Sequence, residues 1–297
     1  MDSSTAPPSA TGPVKSPPTG RVMDVLASLS DSPDGGRTSA ELAKSCGIST
    51  STCALVLAEL ERGNWVTRRD DRRYTLGSGL FGLVHGLRVQ FPLLDRGRET
   101  LSFLHTTLGA GCSMSKIGQT HLITIDAVGH GTDGQHAVGQ RFPIGPPFGL
   151  VAMAWRDEDA IDGWLRRVTP RLTDSDTAGH RLVLAEIRDR GYGAWRFDAA
   201  HSSLHDRLAA VLASLEPTAQ VTRELSALMT IVTLQSVTSV LESELASTEF
   251  VVLPIFGRDG QPEYQIEIHL GGQDELALAD LDAALLHAQE LLSPTVA

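Results

Sequence analysis

Hydrophobic positions recur with two periods along this chain, and the places where the period changes divide it. Val22, Val25, Leu26 and Leu29 fall at i, i+3, i+4 and i+7, which predicts a helix with one apolar face. Ser32-Pro33-Asp34-Gly35-Gly36 carries turn chemistry and ends it. Thr38 with Glu41 three residues on reads as a capping box, opening a short helix through Cys46 that Gly47 stops. Ser49 or Ser51 caps the next helix, whose core stripe is Cys53, Val56, Leu57 and Leu60 and which Gly63 closes. The period then falls to that of strands. Trp65–Arg69 and Arg72–Leu76 read as two short strands around Asp70 and Asp71. Two helices, a turn, a third helix and a hairpin in this order are the layout of a winged helix-turn-helix.

Helical spacing returns at Leu80, Leu83, Val84 and Leu87, among Gly77, Gly79, Gly82 and Gly86. Those glycines are expected to let another helix pack closely. Pro92 separates this helix from one carrying Leu94, Leu101, Leu104 and Leu108. Cys112–Ile117 and Leu122–Val128 read as a hairpin around Gly118-Gln119. A Gly/Pro-rich loop, Gly139–Pro147, leads to an expected helix from Phe148 to Trp155. Helices over Asp157–Val168 and Asp176–Arg190 precede a strand after Gly191. Phe250–Phe256 and Glu263–Leu270 form a second hairpin, and Leu278, Leu281, Leu285 and Leu292 mark the last helix. The expected class is α+β, with helices on an antiparallel sheet. The expected divisions are a flexible tail over residues 1–18, a winged domain over 19–77, linker helices over 78–98 and a second domain over 99–297. Within the last, helices near 201–215 and 221–246 are expected in the segment 198–248.

Composition narrows the class. With 41% hydrophobic and 21% charged residues, wholesale disorder of the 297-residue chain is excluded. No run of apolar residues is long enough to span a bilayer, and the first residues lack the apolar core of a secretory signal. Three cysteines without a CxxC pair argue against a disulfide framework or zinc finger and for a reducing cytoplasm. The net charge of −11 is unevenly spread: residues 1–98 hold 12 Lys and Arg against 10 Asp and Glu, whereas residues 99–297 hold 13 against 26. The two parts therefore face different partners.

The second helix of a helix-turn-helix enters the major groove of double-stranded DNA through its first residues, here Ser49, Thr50, Ser51 and Thr52. Their hydroxyls suit phosphates or bases, and they equally suit capping. Leu55 lies off the core stripe, where two readings stand: contact with a thymine methyl, or burial. Arg68, Arg69, Arg72 and Arg73 suit phosphate or minor-groove contact, or else pair with Asp70 and Asp71; the preceding helix-turn-helix favours DNA. In the second domain Ser113 and Ser115 alternate on one strand, and Glu267 and His269 on another. Each pair points to one face, either into a pocket or into water. His201 and His205, with Asp198 and Asp206, make a weak metal face. No G-x-S-x-G elbow, phosphate loop or HExxH is present, and Cys112 suits a small buried residue. No catalytic residue, cofactor or metal is expected.

The run from Thr38 to Leu83 resembles the amino-terminal domain of the IclR family of transcription regulators through Leu57, Leu60, Gly63, Val66, Arg68, Tyr74, Leu76 and Gly77. Gly139, Arg141, Pro143 and Gly149, the run IRDRGY and the run VVLPIFGRDGQ resemble that family's effector domain, which has a GAF-like fold. The resemblance implies a ligand-responsive, DNA-binding regulator in the cytoplasm, acting as a homodimer or dimer of dimers. It also implies a pocket for a small organic effector, often a carboxylate, between the sheet and the loop leading to Phe148. Ser113, Ser115, Gly145, Phe148, Glu267 and His269 are its expected lining. Glu267 would repel a carboxylate unless protonated or paired, so a polar or cationic ligand, one with an anionic and a donor end, or a small polar aromatic packed on Phe148 is expected. The chain departs from the family in having Thr50 or Leu55 where a basic residue is frequent, and in its longer stretch between Phe197 and Glu249. The alternative is a sensor or protein-interaction module whose winged domain does not read DNA.

Overall fold

The computed structural model describes residues 17–30, 32, 35–129, 138–146, 148–167, 173–195, 248–271 and 276–293. The expected helices near 201–215 and 221–246, and the His201/His205 pair, lie outside the described residues. The chain forms two compact units that meet in sequence between Phe91 and Pro92.

The first unit is a winged helix-turn-helix. Helix α1 (Pro17–Ser30) starts on two prolines, whose missing N–H groups cost nothing in a first turn. Thr38 and Glu41 make the reciprocal capping box at the start of α2 (Ser39–Ser45). Gly47, at φ +61°, turns the chain toward α3 (Thr50–Arg62). Ser49 caps α3, its hydroxyl accepting from the Thr52 N–H at 3.1 Å. Val25, Leu29, Leu42, Ala43, Cys53, Leu57, Leu60 and Val66 form one buried cluster from all three helices and the wing. The wing has three strands rather than the expected two. Beside β2 (Val66–Arg68) and β3 (Arg73–Leu76), the pair β1 (Arg37–Thr38) joins β3, with Arg37 opposite Tyr74. Helix α4 (Phe81–Gln90) follows and buries none of its residues.

The glycines before α4 serve a different purpose from the one expected. A Cβ on Gly77 or Gly79 would lie within 3.0 Å of backbone atoms of Asn64, so both let the chain cross the turn after α3. Gly82 and Gly86 lie on α4, where a Cβ would meet nothing within 4 Å among the described residues.

The second unit is a six-stranded antiparallel sheet between two layers of helices. Its strands are β4 (Gly111–Ile117), β5 (His121–Val128), β6 (Arg141–Pro143), β7 (Gly193–Trp195), β8 (Phe250–Phe256) and β9 (Pro262–His269), in the order β6-β5-β4-β9-β8-β7. Helices α5 (Leu93–Leu108) and α9 (Leu278–Leu292) cover one face. There Leu101, Leu104, Leu281 and Leu285 meet Cys112, Met114, Ile266 and Ile268 in one core. The other face carries α6 (Leu150–Met153), α7 (Glu158–Leu165) and α8 (Asp174–Arg190), with Ile117, Leu122, Val151, Trp164, Ile187, Phe250 and Val252 in a second core. Alternation along each strand sends successive residues to opposite faces, so each face contributes to one core, and the face toward α6 carries Ser113, Ser115, Thr124 and Gln265 as well as apolar residues.

The loop after β5 departs from expectation. Arg141–Pro143 adds a short edge strand to β5. The helix expected from Phe148 to Trp155 shrinks to Leu150–Met153. Phe148 pairs instead with Gly145 in an isolated bridge, and Gly149 reverses the chain at φ +86°. Extended pairing at Phe148 precludes helical backbone there, so this point offers no helix terminus to a ligand.

Candidate DNA interface and ligand face

Helix α3 turns Cys53, Leu57 and Leu60 inward. At 100° per residue the opposite stripe is Ser51, Leu55, Ala58 and Arg62. All four are exposed, and Leu55 has 74% of its surface accessible, which decides against its burial. At the head of α3 the Ser49 hydroxyl lies 3.0 Å from that of Ser51 and 2.8 Å from that of Thr52. Ser49 is thus committed to the cap and Thr50 and Ser51 stand outermost. The only basic residue of α3 is Arg62, whose Nε donates to Glu59 at 3.0 Å.

The wing separates its four arginines. Arg73 donates from Nη1 to the Gly36 carbonyl at 3.0 Å and pairs with Glu41 at 3.1 Å, bracing the wing on α2. Glu41 also accepts from Thr38, and this backbone bond holds its carboxyl below the usual carboxylate value, with Arg73 assisting. Arg69 stands 3.5 Å from Asp71, and Arg68 lies 5.9 Å over the Tyr74 ring. Arg72 sits at the tip with φ +62°, exposed.

On the second unit, three cross-strand rows lie on the sheet face toward α6. Trp195, Phe250 and His269 form the first, on β7, β8 and β9. The Trp195 and Phe250 rings stack at 5.0 Å, and Phe250 and His269 lie 5.8 Å apart. Val252, Glu267 and Ser113 form the second. Pro254, Gln265, Ser115 and Thr124 form the third. The sheet thus brings the expected Ser113, Ser115, Glu267 and His269 together. The Glu267 carboxylate lies 2.9 Å from His269 Nε2. Ser113, Ser115, Thr124 and Gln265 are all buried. None of the strand residues in these rows is Lys or Arg.

The expected loop residues are held by Phe142, by α7 and by the turn after it. The Phe148 ring packs on Phe142 at 5.4 Å, and its carbonyl accepts from Trp164 Nε1 at 3.0 Å. Arg167 donates to the Ile144 carbonyl at 2.6 Å, beside Gly145. Gln265, Thr124, Trp195 and Phe250 share these rows with the expected residues. Gln265 continues the period-two pattern of Glu267 and was available to it. Trp195 has no sequence neighbour that announces it, and its buried indole N–H has no acceptor among the described residues. Two open grooves of about 550 and 360 Å3 flank α9 on the opposite face, the first beside Phe103 and Leu276, the second beside Tyr192 and Leu286. They are separate from the polar rows. No cluster of metal-binding side chains occurs among the described residues.

A family model described as the MarR family matches residues 17–73, the winged unit up to the start of β3. Solved structures match nearly the whole chain. An IclR transcriptional regulator from Alicyclobacillus acidocaldarius shares 23% identity at TM-score 0.50, covering 94% of this chain and 96% of that one. The IclR of Thermotoga maritima shares 16% at TM-score 0.56, covering 92% and 96%. This chain has the IclR fold. An IclR homologue from Microbacterium hydrocarbonoxydans, solved with 4-hydroxybenzoate, shares 16% identity at TM-score 0.54, covering 93% and 98%. No curated protein matches the chain. The IclR fold accounts for both units described above: the winged helix-turn-helix and the antiparallel sheet with helices on both faces.

Proposed function

We propose that this protein is a ligand-responsive, DNA-binding transcription regulator of the IclR type, not an enzyme. The observation that carries the reading is the exposed outer stripe of α3, capped by hydroxyls and joined to an arginine-bearing wing. Helix α3 is the second helix of the helix-turn-helix, and that is the helix whose exposed face and first residues enter the groove. The rows that gather Ser113, Ser115, Gln265 and the half-buried Glu267 on one sheet face support a small-molecule site on the second unit, because such sites set a few convergent polar groups among apolar ones. The 4-hydroxybenzoate complex of a protein with the same fold supports a small organic ligand in general. Here Glu267, paired with His269, offers acceptor oxygens to a donor-bearing ligand.

The protein acts as a homodimer in this reading, through the apolar stripe of α4. Phe81, Leu83, Val84, Leu87 and Val89 are all exposed, more apolar surface than a short helix keeps open in a monomer. No helix among the described residues is long and apolar enough to cross a membrane. The cytoplasm is the proposed location, where the DNA is. The test is selection of bound sites from random DNA by the full chain, followed by shift assays with and without small amines, carboxylates and zwitterions. A selected site whose affinity changes with one compound is the expected result. A chain that enriches no sequence is instead a sensor or interaction module.

A further inference from the structure

Resting on the proposed DNA-binding role, we infer that α3 reads its site through thymine methyl groups, with Leu55 as the specificity-determining side chain. The commonest specific contact to DNA is a bidentate pair from Arg or Lys to guanine. Helix α3 cannot make it from its leading turns, because no Lys or Arg precedes Arg62 and that residue is tied to Glu59. The hydroxyls of Ser51 and Thr52 are engaged with Ser49 in the cap, and Thr50 lies off the outer stripe. What remains on the outer stripe of the first two turns is the Leu55 side chain, 74% accessible, flanked by exposed Ala54 and Ala58. An uncharged, methyl-bearing surface complements only one feature of the major-groove edge, the C5-methyl of thymine. The arginines at Arg68, Arg69 and Arg72 stand on the wing, where they complement phosphate and leave base reading to α3.

The experiment uses the full chain and the site it selects from random DNA. Each thymine of a half-site is replaced in turn by deoxyuridine, which pairs identically and lacks the methyl group. Affinity is read by fluorescence anisotropy. One buried methyl is worth about 0.8 kcal/mol, or about fourfold in affinity. At least one replacement is expected to weaken binding by about that factor. In Leu55→Ala the same replacement is expected to have no effect. Leu55→Met, which keeps an apolar contact, retains the sensitivity. Leu55 is exposed and alanine favours helix, so the variant folds, which circular dichroism checks. Equal binding of every thymine and deoxyuridine site overturns the inference and leaves the DNA-binding role standing. So does sensitivity that persists in Leu55→Ala, or a change in oligomeric mass on that substitution, which would place Leu55 in a protein contact. Failure to select any site overturns the role and the inference together.

Discussion

The indole of Trp195 lies across Gly193, two residues earlier on the same strand. A Cβ at residue 193 would stand 2.6 Å from Trp195 Cζ3 and 3.3 Å from a Val151 methyl, so the ring can lie flat on the sheet only because residue 193 has no side chain. The flat ring then stacks on Phe250 across the strand pair and closes one end of the polar face. Gly193→Ala is expected to cost about 1–3 kcal/mol, the usual penalty of overpacking a filled core, and to shift tryptophan fluorescence. The double variant with Trp195→Phe should recover part of the loss. A single variant with parental Tm and emission would show that the indole does not need the glycine.

The wing arginines divide into one brace and three candidates for phosphate. Arg73 is held by Glu41 and Gly36, whereas Arg68, Arg69 and Arg72 project from the hairpin. Three phosphate contacts per protomer make six in a dimer, so log affinity should fall against log salt with a slope of about −5. Arg69→Ala with Arg72→Ala should weaken specific and random DNA alike and flatten that slope. Arg73→Ala should lower Tm and change the slope less. If Arg73→Ala flattens the slope most, the brace is the phosphate contact.

His180 makes stability depend on pH. Its side chain is fully buried on α8, 5.4 Å from the Trp164 ring, with Nδ1 at 2.7 Å from the Asp176 carbonyl and Nε2 without a partner among the described residues. Burial pushes it below the ordinary histidine value of 6.5, with Asp176 opposing. The unfolded chain therefore takes up the proton more readily than the folded one. Stability is complete above about pH 6.5 and falls as the pH drops from there toward the folded value. Thermal melts from pH 8 to pH 5 should show this fall, and His180→Gln should reduce it. Burial also lowers His121, so some slope remains. Parallel curves for parent and variant would exclude His180 as the source.

Helix α4 is the expected seat of self-association. Light scattering at micromolar concentration should give at least twice 31.8 kDa for the parent chain. Leu83→Asp with Leu87→Asp places two charges in the exposed stripe and should return the protein to monomer mass. It should also reduce affinity for a two-half-site operator far more than for a single half-site. An unchanged mass moves the interface elsewhere.

The polar rows predict which residues decide ligand response. Glu267→Gln is expected to abolish the thermal shift produced by a donor-bearing ligand, a shift worth about 2.7 kcal/mol at one hundred times its dissociation constant in the parent. Ser113→Ala, on the directly opposed position, should reduce it in part. A shift that survives both substitutions places the ligand away from this face.

The sequence by itself determined the first unit nearly to the residue. Its signals are local: the Thr38/Glu41 capping box, the Gly47 stop and the Cys53–Leu57–Leu60 stripe all act within a few positions, and the structure repeats them. The same locality made the hairpins at Gly118 and Arg258 and the alternation of Ser113 with Ser115 legible. Only the tertiary structure decided what depends on pairing across long separations. The two-residue strand β1 exists because β3 offers it partners, and Arg73 meets Glu41 because that pairing folds the wing onto α2. The strand at Arg141–Pro143 arose within an expected loop, and the pairing at Phe148 overrode the start of the helix expected there, since backbone partners on β5 and at Gly145 outweighed local propensity. Trp195 reaches the polar face only by lying beside Phe250, and Glu267 stands across from Ser113 only in the register that the sheet adopts. A strand announces which residues share a face, because side chains alternate. Which strand lies next to it is settled by non-local hydrogen bonds and core packing, and these are written in no short stretch of the chain.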